Sequence, residues 1–205
     1  MIGIKLFKEK EYAEQFMKGQ IYISAAGRFS KATDAQRRYT EGMIPIFDKP
    51  LVIDGQVFNV PYSFSYLELD RVPVFCFTIL DEKNSTIVNK TLNYDIPKNN
   101  HELGKHLVLF DVDEFYRILS QKVTACGYGI IGKKVKYFDF KNLKDNSWHN
   151  EIKTPYDCLF LHDIKHKNQN EFRFVLTEKI FDPGFESTIV DVGEWDKKPQ
   201  YMEIE

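Results

Sequence analysis

The residues best suited to chemistry lie in one short stretch, Gln169-Asn170-Glu171-Phe172-Arg173. A strand running through it would place residues 169, 171 and 173 on one face, because side chains alternate with period two. Phe172 and Phe174 would then fill the core side. The row would hold an amide, a carboxylate and a guanidinium. Such a row is expensive in a dry core and natural at the mouth of a cleft. There the carboxylate can offset positive charge that develops on a substrate. The same pattern also fits the solvated face of an amphipathic strand.

Three other groups carry functional residue types. Cys76-Phe77-Thr78 ends a segment rich in apolar and β-favouring residues, so Thr78 could set a hydroxyl beside a catalytic carboxylate. Arg28, and then Arg37-Arg38 before Glu41-Gly42, follow an early strand. Guanidinium forks match phosphate oxyanions, and a solvated charged loop has the same composition. Cys158, His162 and His166 are spaced by four and would align as metal ligands on a helix. Leu159-Phe160-Leu161 reads as a strand instead, and no fourth ligand is evident, so no metal is expected. Walker loop, Rossmann glycine fingerprint and nucleophile elbow are all missing from the sequence.

These residues need elements to position them. Ile2 to Phe7 alternates apolar and polar and predicts a first strand. Glu9 to Lys18 predicts a helix with Tyr12, Ala13, Phe16 and Met17 as its apolar stripe. Gly19 falls where a helix C-terminal glycine belongs, and Ile21 to Ser24 predicts a second strand. Residues 25–44 read as a charged loop or short helix. Val52-Ile53 and Val57 to Val60 flank Asp54-Gly55, a hairpin signal. Val72 to Ile79 predicts a buried strand with Pro73 at its beginning. Leu107 to Phe110 predicts another, followed by a helix through Lys122 capped by Asp113. The glycines at 127, 129 and 132 predict a break before a strand over Lys133 to Phe140. Residues 141–170 show no clear period, and Glu171 to Leu176 predicts a strand. Beyond Asp182-Pro183-Gly184 one or two edge strands are expected. The expectation is one mostly β, α+β domain over 1–205.

Composition sets the bounds. The chain has 205 residues, enough for a sizeable core, and 15% aromatics, with 17 Phe and 11 Tyr, argue against disorder. A net charge of -2 excludes a general basic field for gripping nucleic acid. No apolar run approaches the roughly twenty residues of a spanning helix, so no membrane partner is expected. Three dispersed cysteines suit a reducing interior, which points to the cytoplasm.

The order of these pieces resembles the ADP-ribosyltransferase superfamily. That family opens with a strand bearing a basic or histidine residue, then a helix, a glycine and a second strand. Lys5-Leu6-Phe7, the helix to Lys18, Gly19 and Ile21-Tyr22-Ile23-Ser24 follow that plan. Thr78 matches the family's small hydroxyl residue on a middle strand, and Gln169-Asn170-Glu171 its late Gln-x-Glu. The chain also resembles a set of uncharacterised bacterial proteins with an acidic loop, a Cys-Phe-Ser-like strand and a late Glu-Phe/Tyr-Arg. The match covers most of residues 1–180 as spaced fragments.

The resemblance implies split antiparallel sheets with a few short helices. It implies an NAD-dependent mono-ADP-ribosyltransferase, of a toxin or phage-conflict kind, with NAD as substrate. The acceptor could be protein, nucleic acid or a small molecule. Its oxocarbenium-like state would be stabilised by Glu171, beside Thr78, with Gln169 orienting the acceptor. Lys5, Arg28, Phe29, Arg38, Tyr39 and Arg173 would bind the cofactor. Of these, Arg28 or Arg38 would hold the pyrophosphate, and Phe29 and Tyr39 would stack on nicotinamide. A non-catalytic protein- or nucleotide-binding module on the same fold is the alternative.

Overall fold

A computed structural model describes residues 1–30, 43–47, 51–53, 56–58, 62–65, 69, 71–80, 85–88, 91–94, 104–139, 147–177 and 187–204. In chain order the strands are β1 (Ile2–Phe7), β2 (Gln20–Ala25), β3 (Met43–Phe47), β4 (Leu51–Ile53), β5 (Gln56–Phe58), β6 (Tyr62–Ser65), β7 (Pro73–Ile79) and β8 (Ser85–Val88). There follow β9 (Thr91–Tyr94), β10 (His106–Asp111), β11 (Gly129–Lys134), β12 (Lys136–Phe138), β13 (Leu161–Asp163), β14 (Glu171–Thr177), β15 (Ser187–Asp191) and β16 (Gln200–Glu203). The α-helices are α1 (Lys10–Met17), α2 (Ala26–Ser30) and α3 (Val112–Ala125). The architecture is α+β and mostly β.

The main sheet has eight strands in the order β11-β14-β7-β1-β10-β16, with β2 joining β7 and β15 joining β2. Its ladders are all antiparallel. The sheet splits along one edge of β7. There β2 pairs at Pro73 and Val74, whereas β1 pairs at Thr78 and Ile79. Between them the edge at residues 75–77 parts the two branches. Lys5 spans this gap, its Nζ donating to the carbonyl oxygen of Cys76 at 2.5 Å. The shorter ladders β3–β6, β4–β5 and β8–β9 are antiparallel pairs, and β12–β13 is parallel.

Period-two alternation gives the sheet two apolar faces. On one, Phe75, Phe77, Phe110 and Phe174 meet Ala13 and Phe16 of α1 and Phe115, Ile118, Leu119 and Val123 of α3. Phe16 is the hub: its ring lies 5.3–5.9 Å from those of Phe75, Phe110, Phe115 and Trp195. Each such pair adds about 0.5–1.5 kcal/mol beyond its burial. On the other face, Val74 and Val175 pack against Trp148, Cys158, Leu159 and Phe160. Those four belong to short 3-10 helices over Ser147–Glu151 and Pro155–Phe160. Among the described residues no helix is long and apolar enough to cross a membrane.

Three local expectations change, and the expected hairpin holds. α3 is capped by Asp111, not Asp113: the Asp111 carboxylate accepts from the N–H groups of Asp113 and Glu114, the pattern of an N-cap side chain. The segment 133–140 is not one strand. Gly129 and Gly132 lie inside β11, and Val135 separates it from β12. A Cβ at Gly132 would come within 2.6 Å of the Phe174 ring, so packing rather than turn geometry demands glycine there. The described part of the aperiodic run before residue 170 is mainly 3-10 helix, over Ser147–Glu151, Pro155–Phe160 and Ile164–Gln169 with β13 between the last two, and a three-residue turn shows neither diagnostic period. Finally, the hairpin strands pair as Leu51↔Phe58 and Ile53↔Gln56, while their Asp54-Gly55 turn lies outside the described residues.

Candidate functional site

The two triplets singled out in the sequence are neighbours. Glu171 lies opposite Thr78, Phe172 opposite Phe77 and Arg173 opposite Cys76. Residues directly opposed on antiparallel strands share a face. Thr78, Glu171, Cys76 and Arg173 therefore stand together on the sheet face away from α1 and α3. The phenylalanines Phe77, Phe172 and Phe174 stand on the other, against the aromatic core.

The row is buried. Glu171 is 4% exposed and Arg173 is 0% exposed. The guanidinium grips the carboxylate at both ends, Nε to Oε1 at 3.1 Å and Nη2 to Oε2 at 2.9 Å. Its Nη1 donates to the Leu159 carbonyl at 2.5 Å. A fork-to-fork pair is among the stronger polar contacts, and burial makes it costly to break. The Glu171 N–H donates to the Tyr137 hydroxyl at 2.9 Å. The Tyr137 ring stacks on His162, and the His162 and His166 rings lie 4.4 Å apart. Burial, followed by repulsion from Arg173, holds the His162 imidazole far below its usual range. Burial foremost also lowers His166. Burial foremost, then the Glu171 charge, raises Tyr137 well above its ordinary value. The pair thus sits in a layer closed by neutral aromatic and imidazole rings.

An ion pair flanks this layer. Lys133 reaches Asp157 at 2.5 Å and lies 5.4 Å from the Phe160 ring centre. Asp157 also accepts from the N–H groups of Lys153 and Thr154 and from the Thr154 hydroxyl. Burial alone would raise its pKa. The Lys133 and Thr154 bonds outweigh that and bring it down to about 2. Burial foremost pushes the neighbouring Cys158 thiol up to about 11, which keeps it protonated.

Comparison with protein-family models, curated proteins and solved structures gives no match.

The remaining expected site residues separate. Gln169 is not on the strand. It ends the 3-10 helix Ile164–Gln169, and β14 begins at Glu171. Asn170 between them turns the chain in the left-handed conformation, φ 44°, which asparagine tolerates better than most residues. Its Nδ2 donates to the Ile79 carbonyl at 2.7 Å and its own carbonyl accepts from the Ile79 N–H. The row of three expected on one strand face is therefore a row of two. Lys5 stands on the wrong face for the expected role. Ile4 is the residue opposite Thr78, so alternation turns Lys5 toward the aromatic core, 4.8 Å from the Phe75 ring centre. Arg28 is exposed, and its guanidinium donates to the hydroxyls of Tyr22 and Ser187. Arg38, Tyr39 and the side chain of Phe29 lie outside the described residues.

Sequence reasoning missed Tyr137, Asn170, Asp157 and Lys133. Asp157 carried one signal, since Thr154-Pro155-Tyr156-Asp157 is a capping box with proline at the first helical position. His162 and His166 were noticed for spacing by four on a helix. They meet although one lies on β13 and the other on a 3-10 helix.

Proposed function

We propose that this chain is a non-catalytic binding module built on an ADP-ribosyltransferase-like plan, recognising a protein or a nucleotide-like ligand. One observation carries the reading: both oxygens of Glu171 are held by a guanidinium with no exposure to solvent. Transferase chemistry of this family's kind needs that carboxylate to meet a ribose hydroxyl and to face a growing positive charge. Here the charge is already met by Arg173. The described residues do not fit NAD in the expected way, because Lys5 faces the opposite side of the sheet and Gln169 has left the strand. Arg28 suits a ligand contact better. It is exposed, and its two partners are neutral hydroxyls, which orient a guanidinium without cancelling its charge.

The transferase reading keeps one observation in its favour, the direct opposition of Thr78 and Glu171. One experiment separates the two. The protein is incubated with NAD, alone and with cell lysate, and free nicotinamide is quantified, while NAD and ADP-ribose are titrated by calorimetry against wild type and Arg28→Ala. The binding-module reading expects no nicotinamide above the protein-free rate. Release that disappears in Glu171→Gln would overturn it and restore the transferase.

A further inference from the structure

The segment 155–169 forms a cover over the Glu171–Arg173 pair. It comprises the 3-10 helix Pro155–Phe160, β13 and the 3-10 helix Ile164–Gln169. It is joined to the strands beneath it by polar, aromatic and apolar contacts. Arg173 bonds the Leu159 carbonyl, Lys133 bonds Asp157, β13 pairs with β12 and His162 stacks on Tyr137, while within the cover His162 and His166 lie ring against ring. Leu159 and Phe160 supply the apolar contact. Two imidazoles, 4% and 9% exposed, are thus placed between the cover and a buried cation.

We propose that His162 and His166 form an acid-sensitive latch, whose protonation lifts the 155–169 segment from the sheet and uncovers Glu171 and Arg173. Among the described residues, the groups facing the two rings include Tyr137 from β12, Glu171 and Arg173 from β14, and Asp163 and Lys165 from the segment itself. Glu171 is the carboxylate on the sheet side, and its two oxygens already serve Arg173. Lys165 repels both imidazoliums, while Asp163 draws on His166. Asp157, on the first 3-10 helix of the cover, is bound to Lys133. A proton on either ring therefore adds a cation beside Arg173 in a buried layer, where bulk solvent cannot spread the charge.

The sign follows from linkage. Both imidazoles are shifted down in the closed state and return to about 6.5 when the segment opens. The closed state is favoured fully above that value and loses ground as pH falls below it. At pH 5 each histidine multiplies the opening constant by up to about 30, from the 1.5-unit interval below that reference. The aromatic core on the other face holds neither imidazole and is not coupled to this change.

The test is amide hydrogen exchange by mass spectrometry at pH 7.5, 6 and 5, corrected for intrinsic rates. Wild type is compared with His162→Gln, His166→Gln and the double variant. The expected result is at least tenfold faster exchange over 155–169 at pH 5 than at pH 7.5, with α3 and β10 unchanged. The acceleration should shrink in each single variant and vanish in the double. If the double variant does not fold, His166→Gln alone must show the reduced acceleration. Exchange over 155–169 that is independent of pH overturns the latch. So does an acceleration that is the same without the histidines, or one in which α3 and β10 open at the same pH as the segment.

Discussion

Arg173 holds Glu171, two residues back along the same strand, through both carboxylate oxygens at 3.1 and 2.9 Å. Side chains two apart on a strand point the same way, so a long guanidinium can fold back onto its own neighbour. Removing the cation strands a buried anion. Arg173→Met is expected to lose about 3–5 kcal/mol of stability, and Glu171→Gln somewhat less because the amide still accepts a bond. Replacing both, Glu171→Met with Arg173→Leu, should recover much of the loss. Urea denaturation followed by circular dichroism measures all three. A double variant as unstable as Arg173→Met would show that the pair contributes more than mutual neutralisation.

Lys5 is expected to act on the fold. Its Nζ satisfies the Cys76 carbonyl where β1 and β2 diverge from β7. Lys5→Met keeps the apolar stem but removes a charged donor to this part-buried carbonyl, a loss of about 1–2 kcal/mol. The urea midpoint should fall accordingly. Any ligand affinity per folded molecule should stay the same, and a tighter dependence of binding on Lys5 would return it to the ligand site.

Asp157 gives a pH signature distinct from that of the histidines. Its carboxyl sits near 2 in the folded protein, against about 3.9 for an ordinary aspartate. A lowered carboxyl favours the fold above the unfolded value, and that contribution is lost as pH falls from about 4 toward 2. It amounts to on the order of 2 kcal/mol. Stability measured from pH 5 to pH 2.5 should fall less steeply in Asp157→Asn than in wild type. Parallel curves would remove Asp157 as an acid-sensitive group.

Two glycines separate conformation from crowding. Gly19 (φ +86°) and Gly193 (φ +78°) are both left-handed. A Cβ on Gly19 would come within 2.0 Å of the Gly193 carbonyl oxygen, whereas one on Gly193 meets nothing within 4 Å. Gly193→Ala should lose about 1–2 kcal/mol, the backbone penalty alone. Gly19→Ala should lose clearly more, because the Val192 N–H bonded to the Gly19 carbonyl moves with it. Thermal melts of the two variants give the comparison, and equal losses would mean that the loop shifts freely.

The sequence by itself determined the elements whose periodicity is local. β1, α1, β2, β7 and β14 lie where alternation, the apolar stripe and Gly19 put them, because each records its own buried face residue by residue. It also determined the mostly β, α+β class, and it singled out the Cys76-Phe77-Thr78 and Glu171-Phe172-Arg173 triplets. Register was not legible. That Thr78 faces Glu171 while Lys5 turns away depends on which residues of β1, β7 and β14 are opposed, and a slip of one would reverse every side chain. Nor was the fate of the charged row. A carboxylate and a guanidinium at spacing two fit a solvated face more readily than a cleft, and only the 3-10 segment packed over them buried the layer. That segment has no period of its own, so its path over the sheet comes from long-range contacts of Leu159, His162 and Phe160. Tertiary packing thereby set Glu171 against Arg173: shielded from solvent, the carboxylate is held by the cation on its own strand.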